Sequence, residues 1–145
     1  MTLAAIASRL QTLTPASPRQ WGRMRVEQML THCTDQLRIV LGEKPTRRRG
    51  TPFSRWLTKR IALHVPLRLP RNMKTIAELD PNRSLMTKPS NFQHDRATLL
   101  TTLDRLGNVP DSHQFAHPVF GKLTKAEAIK LSCIHLDHHL RQFGA

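Results

Sequence analysis

The sequence has no tyrosine, only two cysteines and no long uninterrupted apolar run. Two cysteines, Cys33 and Cys133, are too few for the disulfide scaffold that stabilises many small secreted domains. No apolar run approaches the roughly 20 residues that a membrane-spanning helix needs, and residues 1–13 lack the cleavage pattern of a secretory signal. These absences predict a soluble protein of a reducing compartment, the cytoplasm, with no membrane span.

Acidic residues are also scarce: 10 Asp and Glu stand against 23 Lys and Arg, giving a formal net charge of +13. The excess is concentrated in residues 44–74, which contain ten basic residues and no acidic one. Such a segment is a candidate surface for nucleic acid or an anionic membrane, and a solvated basic loop is the alternative. Because aromatic residues are not interleaved through it as in a stacking surface, the loop is favoured. The candidate polyanion-binding residues are Arg47, Arg48, Arg49, Arg55, Lys59 and Arg60.

Prolines divide the chain into five candidate helices, because a helix rarely carries proline beyond its first turn. The proline-free stretches are 1–14, 19–44, 53–65, 90–109 and 119–145. Signals for helix starts precede four of them, three as capping boxes and one as an N-cap followed by proline. These signals begin at Ser17, Ser90 and Thr124, and at Thr51 before Pro52. Gly42 and Gly107 are expected to end the helices that precede them.

Apolar residues recur at helical spacing in the three longest stretches, and no alternating strand pattern of useful length occurs. The sequence therefore predicts an all-α fold in one domain, residues 1–145, built as a four-helix bundle. A long crossover connection, residues 44–89, joins helices 2 and 3. It contains the basic segment and a fifth short helix near residues 52–63, and we expect it to lie on the surface.

The eight histidines are many for this length, and three of them suggest a metal site. His135 and His139 are one helical turn apart on the same side of the last helix, a spacing that suits a divalent transition metal. His138 points elsewhere, away from the core. His32, at the edge of the apolar stripe of helix 2, is the best third ligand, because metal sites in bundles draw ligands from facing helices. A core-edge histidine bonded to a backbone carbonyl is the alternative for His32.

Four further residues are candidates for contacts around this site. Asp35 either orients His32 or is an exposed helix residue. Gln36 either contacts a ligand or is a polar residue at the bundle mouth, and Ser132 flanks the buried face beside the two histidines. His117 could approach as a lid residue. The two cysteines lie within apolar stripes and are interpreted as core residues rather than nucleophiles.

Both ends of the chain carry a recognisable pattern. The opening part is Arg9-Leu10, Leu13-Thr14-Pro15, Trp21-Gly22-Arg23-Met24 and Gln28-Met29-Leu30-Thr31-His32-Cys33. The closing part is His117-Pro118-Val119-Phe120-Gly121-Lys122-Leu123-Thr124, followed by Ile134-His135-Leu136-Asp137-His138-His139-Leu140-Arg141-Gln142-Phe143-Gly144. Together they resemble the DinB-like superfamily, in a branch catalogued as a domain of unknown function. The basic middle of the chain is not matched.

The resemblance implies a four-helix bundle that holds a divalent metal, often zinc or nickel, through one histidine of helix 2 and two of the last helix. It places those roles on His32, His135 and His139. Ala128 departs from the pattern, since a bulky aromatic residue is expected there. Some relatives are thiol-dependent S-transferases and others look like metal-dependent hydrolases, and short bundles of this kind often form homodimers through an outer helix face.

Two classes of function follow. The first is a small metalloenzyme, a hydrolase or a thiol transferase, that acts on an unidentified small molecule at an open site with zinc or nickel, or else manganese. The alternative is a non-enzymatic protein that uses the basic insert to bind nucleic acid or another polyanion.

Overall fold

The computed structural model describes residues 1–65, 69–71 and 75–145. Within these residues the chain is mainly helical, which confirms the predicted class, with one small two-stranded sheet. The α-helices are α1 (Leu3–Thr12), α2 (Val26–Val40), α3 (Pro52–His64), α4 (Phe92–Asn108) and α5 (Lys125–Gln142). A 3-10 turn covers Ala77–Leu79, and the strands are β1 (Phe115–His117) and β2 (Gly121–Leu123).

Two predicted helix starts are confirmed by side-chain caps. Thr51 Oγ1 accepts a hydrogen bond from Ser54 N at 3.2 Å, at the start of α3. Thr124 Oγ1 accepts from Glu127 N at 3.3 Å, while Glu127 Oε2 accepts from Thr124 N at 2.9 Å. The latter pair is a complete capping box, which satisfies backbone donors that the first turn of α5 leaves free.

The start of α4 lies one residue later than predicted. Asn91 is the N-cap, and its side-chain oxygen accepts from the backbone N–H groups of Gln93 and His94. Ser90, the expected cap, instead donates from its hydroxyl to Asp95 at 2.8 Å. Serine and asparagine are both good N-cap residues. Because the Ser90 hydroxyl is bonded to the Asp95 carboxylate, Asn91 caps the helix.

The predicted start of α2 is wrong. The helix begins only at Val26, where Gln28 Oε1 accepts from Arg25 N at 2.9 Å. The expected cap, Ser17, accepts from Thr14 N within a turn before the helix. Gly22 has a φ of 79°, a left-handed conformation that interrupts any helix across residues 19–25.

The end of α4 also differs from the prediction. The helix continues through Gly107 to Asn108, shortly before Pro110. A Cβ atom at position 107 would lie 3.1 Å from Leu3 Cδ1. Glycine at this position therefore lets α1 approach α4 closely, and it does not end the helix. At the end of α2, in contrast, Gly42 has a φ of 78°, as expected of a residue that terminates a helix.

The hairpin of β1 and β2 was not predicted. Its antiparallel register pairs Phe115 with Leu123 and His117 with Gly121. Each strand has only three residues, too few to show the alternation that identifies a strand in sequence. As a result, the helix expected over residues 119–145 begins at Lys125, after the hairpin.

Helices α1, α2, α4 and α5 share one apolar core. Helices α1 and α2 each pack against both α4 and α5. Fully buried core side chains come from all four helices and include Ile6, Leu10, Met29, Leu37, Leu99, Leu106 and Leu136. Both cysteines are buried in this core, as predicted. No helix in the described ranges is long and apolar enough to cross a membrane.

Candidate metal centre

Three histidines from two helices meet at one point of this core. His32 lies on α2, and His135 and His139 lie one turn apart on α5. The Nε2 atom of His135 is 3.2 Å from Nε2 of His32 and 3.2 Å from Nε2 of His139. One ligand nitrogen from each ring lies within 4.8 Å of the others. The structure therefore brings together the three residues that the sequence singled out.

The outer nitrogens of two of these rings are held by protein acceptors. His32 Nδ1 lies 2.8 Å from the Leu79 carbonyl oxygen, and His139 Nδ1 lies 2.9 Å from Gln142 Oε1. The amide orientation of Gln142 follows from its Nε2, which donates to the Trp21 carbonyl oxygen at 3.0 Å. Both Nδ1 atoms therefore carry the hydrogen, so that the Nε2 lone pairs of His32 and His139 face the centre.

Burial keeps the three rings in their neutral form. Desolvation lowers the pKa of His32, and the hydrogen bond to Leu79 opposes this only in part. Desolvation lowers the pKa of His135 and of His139 well below the ordinary value, and the neighbouring histidines lower each further. Neutral imidazole is the form that binds a metal ion, because the lone pair is free.

The cluster fits one transition-metal ion. Metal–nitrogen bonds of 2.0–2.1 Å in a tetrahedral site place ligand nitrogens about 3.3 Å apart, close to the two observed separations of 3.2 Å. Without a cation, neutral rings whose lone pairs converge repel one another, and a single ring proton bridges only one pair. His135 Nδ1 is buried and has no protein partner among the described residues.

The histidines form one wall of a cavity of about 830 Å³. Such a volume accommodates a small organic molecule. Besides the three ligand candidates, its lining includes His138, Trp21, Arg23 and Asn82. No carboxylate is found in the lining formed by the described residues.

His138 also faces this cavity, which corrects the expectation that it points away from the core. It is buried, and its ring packs edge-on against Trp21 and against His139, with centroid separations of 6.0 and 5.1 Å. On α5 taken alone, His138 lies on the side of the helix away from its apolar stripe. The segment that carries Trp21, which folds over α5, is what covers this side of the helix.

Asp35 is buried rather than exposed, so the exposed interpretation is wrong. Its carboxylate accepts from Lys44 Nζ at 2.7 Å and from the backbone N–H and hydroxyl of Thr87 at 2.7 and 2.8 Å. It forms no hydrogen bond to His32, whose Nδ1 is held by Leu79. Asp35 therefore ties both ends of the long connection to α2 and does not orient the His32 ring.

Gln36 and Ser132 lie one turn from His32 and His135 along their helices. Both are buried, and neither belongs to the lining of the cavity. Gln36 Oε1 and Ser132 Oγ have no hydrogen-bond partner in the described part of the chain. Gln36 is thus an interior residue rather than one at an open mouth, and both side chains are polar groups inside the protein next to the histidine cluster.

His117 lies in the hairpin. Its Nδ1 accepts from Val119 N at 3.1 Å and from Phe120 N at 3.2 Å, and burial lowers its pKa to about 4. These bonds hold the ring in the turn between β1 and β2, and His117 is not among the residues that line the cavity. The structure therefore does not place it as a lid.

Four of the six candidate polyanion-binding side chains make contacts within the protein. Lys59 Nζ donates to Glu127 at 2.7 Å, and Arg49 lies 3.5 Å from Glu78. Arg55 donates to a backbone carbonyl of the loop before α3. Arg60 is exposed, and its guanidinium lies 3.4 Å from His64 Nε2. The two remaining candidates, Arg47 and Arg48, lie at the surface.

Sequence reasoning missed the groups that hold the rings. Leu79 contributes only its backbone, so no side-chain pattern could reveal it. Gln142 was detectable, because it lies three residues after His139 and therefore on the same face of α5.

A family model with the description "Protein of unknown function (DUF1569)" matches residues 2–145. No curated protein and no solved structure matches the chain.

Proposed function

The chain belongs to the DUF1569 family, a membership that assigns no activity, and we propose from its geometry that His32, His135 and His139 bind one divalent metal ion. The observation that carries this proposal is the fixed orientation of two rings. Because Leu79 and Gln142 hold the Nδ1 hydrogens of His32 and His139, the Nε2 lone pairs must converge. Acceptors of this kind typically support metal-ligating histidines.

Zinc and nickel are the metals that this donor set favours, with manganese as a third choice. Imidazole nitrogen suits zinc and nickel, whereas manganese prefers oxygen ligands. Three protein ligands leave at least one coordination position open, as in catalytic rather than structural zinc sites. We also propose that α1, α2, α4 and α5 form a four-helix bundle of the DinB-like type.

The proposed activity is that of a metal-dependent thiol transferase or hydrolase whose substrate enters the cavity beside His138 and Trp21. The bound ion would supply a Lewis acid that activates a thiol or a water molecule. A hydrolase commonly adds a carboxylate as general base, and no carboxylate lines this cavity in the residues described. This feature favours thiol transfer over hydrolysis. Neither cysteine is a candidate nucleophile, because burial raises the pKa of both thiols.

The first test is the metal content of tag-free protein, measured by elemental mass spectrometry. We expect about one equivalent of metal in the unmodified protein, as one three-histidine cluster implies, and little in His32→Ala or His139→Ala. His94→Ala is the matched control, since His94 is an exposed residue of α4. Circular dichroism would establish that each variant is folded.

Two results would contradict the proposal. One is unmodified protein that carries no metal and takes up no added zinc, nickel or manganese. The other is equal loss of metal from His94→Ala and from the two cluster variants. If metal is present, transfer of a low-molecular-weight thiol to a chromogenic electrophile should be assayed beside hydrolysis of a chromogenic ester.

A further inference from the structure

Helix α3 presents an apolar face to solvent. We define the α3 face as Phe53, Trp56, Leu57 and Ile61, which follow the spacing of a single side of a helix. Their exposed fractions are 69% for Phe53, 53% for Trp56 and 43% for both Leu57 and Ile61. Four large apolar residues exposed together on one helix mark an interaction surface rather than ordinary scatter.

The other sides of α3 are attached to the rest of the protein. Leu63 is buried, and its carbonyl oxygen accepts from Lys130 Nζ of α5 at 2.7 Å. Lys59 Nζ donates to the Lys122 carbonyl oxygen of β2 and to Glu127 of α5. Since these contacts fix how the helix is rotated, the outward direction of the α3 face is a property of the fold.

The surroundings of this face are basic. Arg60 is exposed on the same side of α3, and its guanidinium lies 5.9 Å from the centroid of the Trp56 ring. Arg47 and Arg48 are exposed in the loop that leads to the helix. No acidic residue occurs anywhere in residues 44–74, so a partner of this surface must combine an apolar interior with negative charge.

A second copy of the chain does not meet that requirement. Pairing two α3 faces would bring together two basic segments of proteins that each carry a formal charge of +13, and like charges oppose such contact. Nucleic acid supplies the negative charge but matches the apolar side chains only in part. Base stacking uses aromatic faces, but the rings of Phe53 and Trp56 already stack on each other, with a centroid separation of 6.0 Å, and Leu57 and Ile61 offer no stacking surface.

We propose that the α3 face binds the surface of an anionic membrane. The helix would lie in the plane of the interface, with its apolar side chains among the acyl chains and Trp56 at the headgroup level. Arg60, which lies between Trp56 and Leu57 on this face, would extend its long side chain along the apolar surface to the lipid phosphates. This peripheral attachment is independent of the histidine cluster.

Vesicle flotation tests the proposal with the intact protein. The probes are vesicles of phosphatidylcholine alone and vesicles of phosphatidylcholine and phosphatidylglycerol in equal parts. We expect binding to the anionic vesicles only. Leu57→Ser and Trp56→Ser should each weaken that binding about tenfold or more, as expected when one buried apolar side chain is lost.

Leu85→Ser is the matched control, because Leu85 is 56% exposed outside the α3 face, and it should bind like the unmodified protein. Metal content and melting temperature should be the same in all three variants, which separates this proposal from that of the metal centre. Failure to bind anionic vesicles would overturn the proposal, as would equal binding by Leu57→Ser and the unmodified protein.

Two other results would assign the surface to a different occupant and overturn the proposal. Tight oligonucleotide binding that is lost in Trp56→Ser, without vesicle binding, would indicate nucleic acid. A dimer in sedimentation equilibrium that Leu57→Ser converts to monomer would indicate a second copy of the chain.

Discussion

Gln142 has two roles at the residue scale. Its Oε1 accepts from His139 Nδ1 at 2.9 Å, and its Nε2 donates to the Trp21 carbonyl oxygen at 3.0 Å. It thus fixes the tautomer of one proposed metal ligand and connects that ligand to the segment that covers the cavity. Supporting contacts of this kind contribute strongly to metal affinity, although the residue never touches the metal.

Replacing Gln142 with Leu should therefore weaken zinc affinity about 10- to 100-fold, the usual effect of losing such an acceptor. The measurement is competition with a chromogenic chelator. Gln142→Glu keeps the acceptor for His139 and should retain most of the affinity. Gln93→Leu, at an exposed position of α4, is the control. Equal losses in the Leu and Glu variants at position 142 would show that the bond to His139 is unimportant.

At the scale of a single element, the capping box at the start of α5 positions the helix that carries two of the three histidines. Thr124 and Glu127 satisfy each other's backbone donors, and Glu127 also pairs with Lys59 of α3 at 2.7 Å. One capping box therefore links the last helix to the basic connection. Loss of this capping box would therefore affect both α5 and its contact with α3.

Thr124→Ala should lower the free energy of unfolding by about 1 kcal/mol, since the backbone N–H of Glu127 loses its side-chain acceptor, Thr124 Oγ1. Urea denaturation measures this. Thr101→Ala removes the same hydroxyl from an exposed position of α4 and should change stability by less than about 0.5 kcal/mol. Identical urea midpoints for the two variants would show that the cap does not stabilise α5.

At the scale of the whole molecule, Asp137 joins the first and last helices. It accepts from Arg9 of α1 at 2.8 Å and from Arg141 of α5 at 2.9 Å. Arg9 also donates to the carbonyl oxygen of Ala145 at 2.7 Å. Burial alone would raise the pKa of Asp137, but the hydrogen bonds and charges of both arginines outweigh it and lower this pKa below its ordinary value.

A lowered folded-state pKa means that the ionised carboxylate stabilises the fold above the pKa of the unfolded chain, about 3.9. This contribution disappears as the pH falls through the folded-state value. Asp137→Asn should thus lower the free energy of unfolding by about 1 kcal/mol at pH 6–7. The difference should narrow below about pH 4, where the unmodified carboxylate becomes protonated.

Denaturation across that pH range checks the prediction, with Asp104→Asn as the control. Asp104 is exposed, and among the described residues its carboxylate accepts from an amide rather than pairing with a cation. A difference between Asp137→Asn and the unmodified protein that persists unchanged at low pH would mean that packing, not charge, explains the effect.

Several features of this protein could be predicted from its sequence because they depend on local interactions. The existence of the five helices, the caps at Thr51 and Thr124, and the one-turn spacing of His135 and His139 all depend on residues within about one helical turn of each other. The mainly helical class follows from the same patterns. The short hairpin before α5 could not be predicted from the sequence, because three-residue strands are stabilised by their pairing rather than by a pattern within either strand.

Only the tertiary structure decided what depends on groups distant in the chain. His32 and His135 are 103 positions apart, and their approach results from the packing of α2 against α5. The burial of Asp35 required Lys44 and Thr87 from the two ends of the connection, since a buried carboxylate must be paired and hydrogen-bonded. The backbone acceptor at Leu79 leaves no trace in a side-chain pattern. Long-range packing, not local preference, assembled the cavity and its histidine wall.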